Sequence, residues 1–366
     1  MIANIPLLEA RDLKVLRGGK QVLDIPCLRL HEGEVLSLIG PNGAGKSTLL
    51  LALANLLQAA TGEIRYRGEA VSAGSAAYLY RRRIAMVFQE PLLFDTTVWE
   101  NVASGLKIRR MPRGEIKVRV RDALELFNIL HLADRSARKL SGGEAQRASL
   151  ARAFAIKPEV ILLDEPFSSL DPPTRLALTE DLERILRETG ASAVVATHDQ
   201  MEALRLSDRM AVMNDGRILQ TGTPVEVMHR PADEFVASFV GMENVLSGKV
   251  IASDQGILTV AAGERRFEFP GDSAPGDEAL FCIRPEHVTI TTDDPGGATS
   301  ARNIFPAFVR RIIPMGAYYK LHLECGFPLV AYLTSQSIGT LHLEDGKRVF
   351  ASFKATAVHL IRSGTP

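Results

Sequence analysis

The 366-residue sequence has no surplus of either charge, because Lys plus Arg and Asp plus Glu number 43 each. A polyanion-binding chain is usually marked by a basic excess, so nothing here points to a nucleic-acid partner, and none is expected. Cysteine is scarce: Cys27, Cys282 and Cys325 are far apart and odd in number. That pattern argues against a disulfide framework or a zinc site, and it fits buried thiols in a reducing compartment. Long apolar runs are missing too. The longest uncharged stretch, Ser47 to Gly62, is too short and too polar at its ends to cross a bilayer, which takes about 20 apolar residues. Met1 to Leu8 lacks the basic flank and apolar centre of a secretory signal. Any work at a membrane is therefore expected to go through another chain. The length suffices for two or three domains.

What the sequence does have is Gly40-Pro41-Asn42-Gly43-Ala44-Gly45-Lys46-Ser47-Thr48, set between the apolar run Val35 to Ile39 and the leucine-rich Leu49 to Leu57. Read as strand, loop and helix, this is a phosphate cradle: glycines let successive N–H groups turn toward one anion, and the helix start adds its positive dipole end. Lys46 is expected to reach the β- and γ-phosphates and Ser47 to meet magnesium.

Upstream, Leu7 to Leu16 and Val22 to Leu30 read as strands around the turn Arg17 to Lys20. Downstream, Ile84 to Phe88 is an apolar run that delivers Gln89 at its carboxyl end, where open α/β sheets place ligands. Residues Val98 to Leu132 are helix-compatible. Leu140-Ser141-Gly142-Gly143-Glu144 then opens a helix, with Ser141 as N-cap and Glu144 completing a capping box. The two glycines leave bare N–H groups at that helix start, a second anion-attracting point. Val160 to Leu163 is a buried-strand run ending in Asp164-Glu165, two acids that are costly there without a task. Asp164 suits a magnesium shell, and Glu165 is placed to polarise a water. Ser168 to Asp171, a helix from Thr174 to Thr189 and the strand Ser192 to Thr197 follow, with His198 at the strand end.

Taken together these segments resemble the ATP-binding subunit of an ATP-binding-cassette (ABC) transporter over roughly residues 7–240. They stand in the family's order: Walker A Gly40 to Thr48, Q-loop Gln89, signature Leu140 to Glu144, Walker B ending at Asp164-Glu165, D-loop Ser168 to Asp171, and switch His198. The resemblance implies an α/β P-loop NTPase fold over residues 1–240, with a RecA-like core, an antiparallel β subdomain and a helical subdomain at about 90–157. It also implies two chains that sandwich two ATP molecules head to tail, each between one chain's Walker A loop and the other's Ser141, Gly142, Gly143 and Glu144. Glu165 is then the general base, His198 a γ-phosphate contact, Gln89 a neighbour of magnesium and the attacking water, and Asp171 a bridge between sites. The family usually stacks an aromatic residue on adenine near Leu16 or Arg17; none stands there, so Arg17 by its guanidinium plane or Leu16 by apolar contact is the expected substitute.

Past Phe239-Val240-Gly241 helical periodicity gives way to short alternating runs at regular spacing, the pattern of small all-β OB-like barrels. Residues 241–298 are expected to form one and 299–366 a second, with Asp293 to Ala298 as linker. Ile283-Arg284-Pro285-Glu286 resembles a segment of importer accessory domains, and the last 65 or so residues resemble a TOBE/Mop-like molybdate-binding domain. Ser300, Arg302, Thr334, Ser337, Lys354 and Ala355 are the implied oxyanion set, two cations plus hydroxyl and backbone donors for a tetrahedral dianion. In such domains the pockets form between chains.

These resemblances imply the ATP-hydrolysing subunit of a molybdate or tungstate importer, using ATP and Mg2+. It would work as a homodimer at the cytoplasmic face of the membrane, peripheral through a permease and fed by an extracytoplasmic binding protein. Importers of iron(III), sulfate, polyamine or sugar share the barrel pattern. A soluble, non-transport ABC ATPase is the rival of another class, though its coiled-coil insertion or tandem cassette is not visible.

Overall fold

The computed structural model describes residues 5–71, 74–296 and 299–363, and it falls into two compact units that meet between Pro224 and Val225. The first begins with β1 (Leu8–Arg17), β2 (Lys20–Leu30) and the fully buried β3 (Val35–Ile39), then α1 (Lys46–Leu53), β4 (Thr61–Tyr66), β5 (Glu69–Ala70), α2 (Ser75–Arg83) and β6 (Ile84–Val87). The helical stretch is α3 (Val98–Ile108), α4 (Arg113–Leu126) and α5 (Gly142–Ala155). After it come β7 (Val160–Asp164), α6 (Pro172–Thr189), β8 (Ser192–Thr197), α7 (Gln200–Leu206), β9 (Arg209–Asn214) and β10 (Arg217–Gly222).

Two sheets share this unit. Alternating burial in β1 and β2 builds an antiparallel sheet in the order β2-β1-β4-β5, while the uniformly buried, mostly apolar β3, β7 and β8 form the middle of a six-stranded sheet ordered β10-β9-β3-β8-β7-β6. Strands buried on both faces read as continuous apolar runs, and these pair in parallel. One core lies under α3, α4, α5 and α6, another between α1 and the antiparallel sheet.

The second unit opens with α8 (Pro224–His229) and α9 (Glu234–Phe239), so it starts before residue 241. Then come β11 (Asn244–Asp254), β12 (Ile257–Ala262), β13 (Arg265–Pro270), β14 (Glu278–Ile283) and β15 (Thr289–Thr291), followed by β16 (Asn303–Pro314), β17 (Tyr319–Glu324), β18 (Pro328–Leu333), α10 (Ser335–Thr340), β19 (Arg348–Phe353) and β20 (Val358–Ser363). Of the expected linker, Gly297 and Ala298 lie outside the described residues.

The strands do not divide at that linker. One sheet runs β13-β12-β11-β14-β20 and the other β18-β17-β16-β19-β15, so each half repeats one order and takes its fifth strand from the other half. The register repeats as well. Asn244 opposes Ile283 as Asn303 opposes Phe353, and Cys282 opposes His359 as Ser352 opposes Thr289. Each buried asparagine clamps the other half: Asn244 bonds Val330 in β18 through both its N–H (2.6 Å) and its carbonyl (2.9 Å), and Asn303 does the same to Glu268 in β13 (2.8 and 2.9 Å). One continuous apolar core, with Phe267 against Phe281, Phe305, Phe327 and Phe353, fills both halves.

Candidate functional site

β3 sits between β8 and β9, and Ile39 is level with Thr197 and Val212, so the loop after β3 opens at the carboxyl edge of the sheet where the strand order reverses. Ligands of open α/β sheets bind at that place. The loop is braced from outside: the Gly216 N–H donates to the Ala44 carbonyl (3.0 Å), and the Asp24 N–H of β2 donates to Gly216 (2.8 Å). A side chain at Gly45, where φ is +100°, would put its Cβ 2.9 Å from Leu23, so glycine is required there.

Lys46 is 4% exposed, and its ammonium donates to the carbonyls of Gly40 (2.8 Å) and Pro41 (3.1 Å), with Glu165 Oε1 at 3.4 Å. Beside it the Ser47 hydroxyl donates to Asp164 Oδ1 at 2.8 Å. Burial pushes the Asp164 carboxyl above its ordinary range, against the Ser47 hydrogen bond that lowers it. A buried carboxylate joined to a hydroxyl is a hard-oxygen pair that gains from a divalent cation. Magnesium typically takes one or two protein oxygens and completes its shell with phosphates and water. Among the described residues no cluster of three or more His, Cys, Asp or Glu side chains could hold a metal alone. The residues present therefore fit Mg2+ bound together with a triphosphate.

Glu165 adopts φ +43°, a left-handed conformation unusual for a side chain of this kind, and its N–H is tied to the Ala196 carbonyl at 2.9 Å. The kink brings its carboxylate to Lys46 on one side and to His198 Nδ1, 3.1 Å away, on the other. Lys46, Ser47, Asp164, Glu165 and His198 thus form one connected group. No described hydrogen bond or ion pair joins Gln89, Arg17, Ser141 or Asp171 to it. Gln89 is exposed two residues past β6, and Leu16 and Arg17 are both exposed at the β1–β2 turn.

The signature segment starts α5 with the capping box: Glu144 N–H donates to Ser141 Oγ (3.3 Å), and Ser141 N–H donates to Glu144 Oε2 (2.7 Å). The Ser141 N–H holds the Glu144 carboxyl below the usual carboxylate range. A Cβ on Gly143 would lie 2.7 Å from Thr174 Cγ2 in the first turn of α6. Asp171 caps α6 by accepting from Thr174 N–H at 3.1 Å, which lowers its own pKa.

Arg175, next to Thr174, escaped the motif reading. Its guanidinium donates to the carbonyls of Ser168 (3.3 Å) and Leu170 (3.2 Å), and it faces Asp199 at 3.6 Å and Glu202 at 4.0 Å. Thr197 and Asp199 lock the turn around His198: Asp199 N–H donates to Thr197 Oγ1 (3.0 Å), which donates to the buried Glu202 (2.7 Å). One side chain therefore connects the D-loop to the His198 turn. Only its helical spacing from Asp171 was visible beforehand.

In the second unit Ser300 and Lys354 line one cavity of 380 Å³ together with Thr289, Ser352 and Thr356. The other members of the expected set do not join them within one chain. Arg302 is exposed outside that lining, and Ala355 opens the single turn after Lys354. Thr334 caps α10, accepting from Ser337 N–H at 3.2 Å with the Ser337 hydroxyl at 3.0 Å. The reason is topological: α10 follows β18, which lies at the opposite edge of its sheet from β15 and β19.

The description of the ABC transporter family matches residues 23–168, and that of the TOBE domain matches 299–360. The chain is 40% identical over 333 residues to a molybdate/tungstate import ATP-binding protein of Pyrococcus horikoshii, spanning 90% of this chain and 93% of that protein. It is 38% identical over 339 residues to a sulfate/thiosulfate import ATP-binding protein of Thermosynechococcus vestitus, spanning 91% of this chain and 92% of that protein. A spermidine/putrescine import ATP-binding protein of Acidothermus cellulolyticus is also 38% identical, over 88% of this chain and 84% of its own. Among solved structures, a subunit of the ABC transporter complex CbiONQ from Clostridium perfringens superposes with a TM-score of 0.58 at 30% identity, covering 65% of this chain and 95% of that one.

Proposed function

The chain belongs to the ABC transporter ATP-binding family, and from that premise we propose that it drives import of molybdate or tungstate as a head-to-tail homodimer beneath a separate permease. It is an ATPase coupled to import, with ATP as substrate and Mg2+ as cofactor. No described helix is long and apolar enough to cross a membrane, which agrees with a peripheral place under a permease.

In the proposed cycle the loop from Gly40 to Thr48 holds the triphosphate, with Lys46 turning from the loop carbonyls to the β- and γ-phosphate oxygens. Ser47 and Asp164 supply the protein oxygens for magnesium. When bound, that ion supplies positive charge across the phosphate oxygens as the bond to the leaving group breaks. Glu165 accepts the proton of the attacking water, and His198, already hydrogen bonded to it, orients the carboxylate and meets the γ-phosphate. Gln89 senses magnesium and water from the adjoining strand end. The partner's Ser141 to Glu144 segment closes over the γ-phosphate with the bare N–H groups of Gly142 and Gly143, Asp171 bridges the two sites, and Arg17 covers the base.

The observation that carries the catalytic reading is the connected group Lys46–Glu165–His198 beside Ser47–Asp164. For the substrate, the described residues lining the Ser300–Lys354 cavity include hydroxyls and a cation and no carboxylate, which suits an oxyanion and not a polyamine. Thr334 and Ser337, at the far edge of the sheet, complete the oxyanion set from a second copy. Two measurements test the proposal. Glu165→Gln should lower ATP turnover about 10²–10⁴-fold and trap an ATP-dependent dimer in sedimentation; a monomer at saturating ATP refutes the mechanism. Calorimetry of the full chain should give heat with molybdate and tungstate and none with spermidine; heat with sulfate alone, or silence with all four, refutes the substrate reading.

A further inference from the structure

The twofold repeat in the second unit carries its own consequence. The Ser300–Lys354 cavity is built where β19 ends, and the repeat places a counterpart where β14 ends. A cavity of 550 Å³ is there. Aligning Ile283 with Phe353 by their common register sets Arg284 in the place of Lys354, His287 in that of Ala357, Cys282 in that of Ser352, and His359 in that of Thr289. Arg284, Cys282, His287 and His359 all line this second cavity, as Lys354, Ala357, Ser352 and Thr289 line the first. Arg230 and His229 add to the lining, and no Asp or Glu is among the described residues that form it.

From this we infer that the second cavity is an additional oxyanion site, taking a tetrahedral dianion either free or as the phosphoryl group of an ester. Arg284 is its anchor. One of its NH groups meets Glu286 Oε1 at 3.2 Å and the other the Met228 carbonyl, while Nε is buried with no partner among the described residues. A buried guanidinium NH without an acceptor is costly, and an anionic oxygen is the acceptor that relieves it most. His287 supplies a further donor, whereas His229 Nδ1–H and His359 Nε2–H are already given to the Val225 (2.9 Å) and Pro231 (3.2 Å) carbonyls. The cavity is larger than its counterpart and part of its wall is apolar, from Met242, Pro270 and Leu360, which leaves room for the organic part of an ester. His287, Thr356 and Ala357 line both cavities, so the two share a wall.

The inference borrows its ligand class from the reading of the Lys354 cavity, and the experiment separates the two. Equilibrium dialysis of the full chain, with ADP saturating the nucleotide loop, measures bound molybdate, inorganic phosphate and glycerol 3-phosphate per chain. The expected result is two oxyanions per chain, one lost with Lys354→Gln and the other weakened at least tenfold by Arg284→Lys, which keeps the charge but has no Nε. Arg230→Gln, which removes the other cation of the lining, serves as the second variant, because Arg284 also holds the Met228 carbonyl. Tighter binding of glycerol 3-phosphate than of inorganic phosphate at the Arg284 site identifies the ester as its ligand; the reverse identifies the free anion. A single oxyanion abolished by Lys354→Gln overturns this inference and leaves the earlier reading intact. A single oxyanion that survives Lys354→Gln but not Arg284→Lys does the opposite. Binding unaffected by both Arg284→Lys and Arg230→Gln also overturns it.

Discussion

Gly143 offers a way to separate packing from chemistry at the signature helix. Among the described residues the only heavy atom outside its own helix within 4 Å of an added Cβ is Thr174 Cγ2, at 2.7 Å. That is too close, and Thr is stiff at χ1, so the overlap should cost about 1–3 kcal/mol as overpacking does elsewhere. Against it, alanine in a helix gains about 1 kcal/mol over glycine. Gly143→Ala should therefore be destabilising by roughly 0–2 kcal/mol. Thr174→Ser deletes the very methyl in conflict and leaves the Thr174 N–H to the Asp171 cap. In that background Gly143→Ala should become stabilising by about 1 kcal/mol, giving a coupling between the sites of about 1–3 kcal/mol. Urea titrations of the four proteins measure it. ATP turnover of the same proteins reads the other role. If the bare backbone at 143 approaches a partner-held phosphate, turnover stays low in the double variant although its stability has recovered. Coupling below about 0.5 kcal/mol refutes the packing argument. Full recovery of turnover refutes the phosphate approach and leaves Gly143 a spacer against α6.

Three further outcomes follow from the geometry. Burial raises the folded-state pKa of Asp164, so the folded chain holds more protons than the unfolded chain from about pH 3.9 up to that raised value, and nucleotide-free stability falls as pH rises through the window. Asp164→Asn should accordingly melt higher than the parent at pH 7 without nucleotide, show a flatter pH dependence, and lose Mg2+-dependent turnover; calorimetric melts across pH check it. Arg175→Lys cannot serve two carbonyls and two carboxylates at once, so kcat should fall at least tenfold while KM for ATP stays within about twofold, as for loss of an interaction made in the transition state. Asn303→Ala should cost about 2 kcal/mol by orphaning both backbone groups of Glu268, and Asn244→Ala about 1 kcal/mol more, since it also bonds the Ile283 carbonyl; denaturant midpoints decide.

The sequence was most legible where local chemistry and long-range packing ask for the same residues. The run Val35 to Ile39, the glycine loop and Lys46 needed only strand burial and backbone geometry to be read. The capping box at Ser141 and Glu144 is local and was readable for the same reason. Arg175 was not, because its four partners come from the D-loop and from the start of α7, which only the sheet brings together. The left-handed Glu165 was equally hidden, since nothing in Asp-Glu-Pro forces that φ without the Ala196 carbonyl beside it. In the second unit the strands were legible by alternation, but their pairing was not. Period-two burial says which face of β15 or β20 is buried and nothing about which neighbour it joins. The six oxyanion residues were gathered by resemblance, and the sheet order separates Thr334 and Ser337 from Lys354 in one chain.

The exchange of β15 and β20 has a consequence for how this protein is made. The strand that completes the first half of the β unit, Val358–Ser363, is synthesised after every other described strand of that unit. Throughout synthesis of residues 284–357 the free edge of β14 waits, an open template for any passing chain. A deletion that removed only β20 would therefore harm residues 244–283, more than seventy positions upstream, before it harmed its own neighbours.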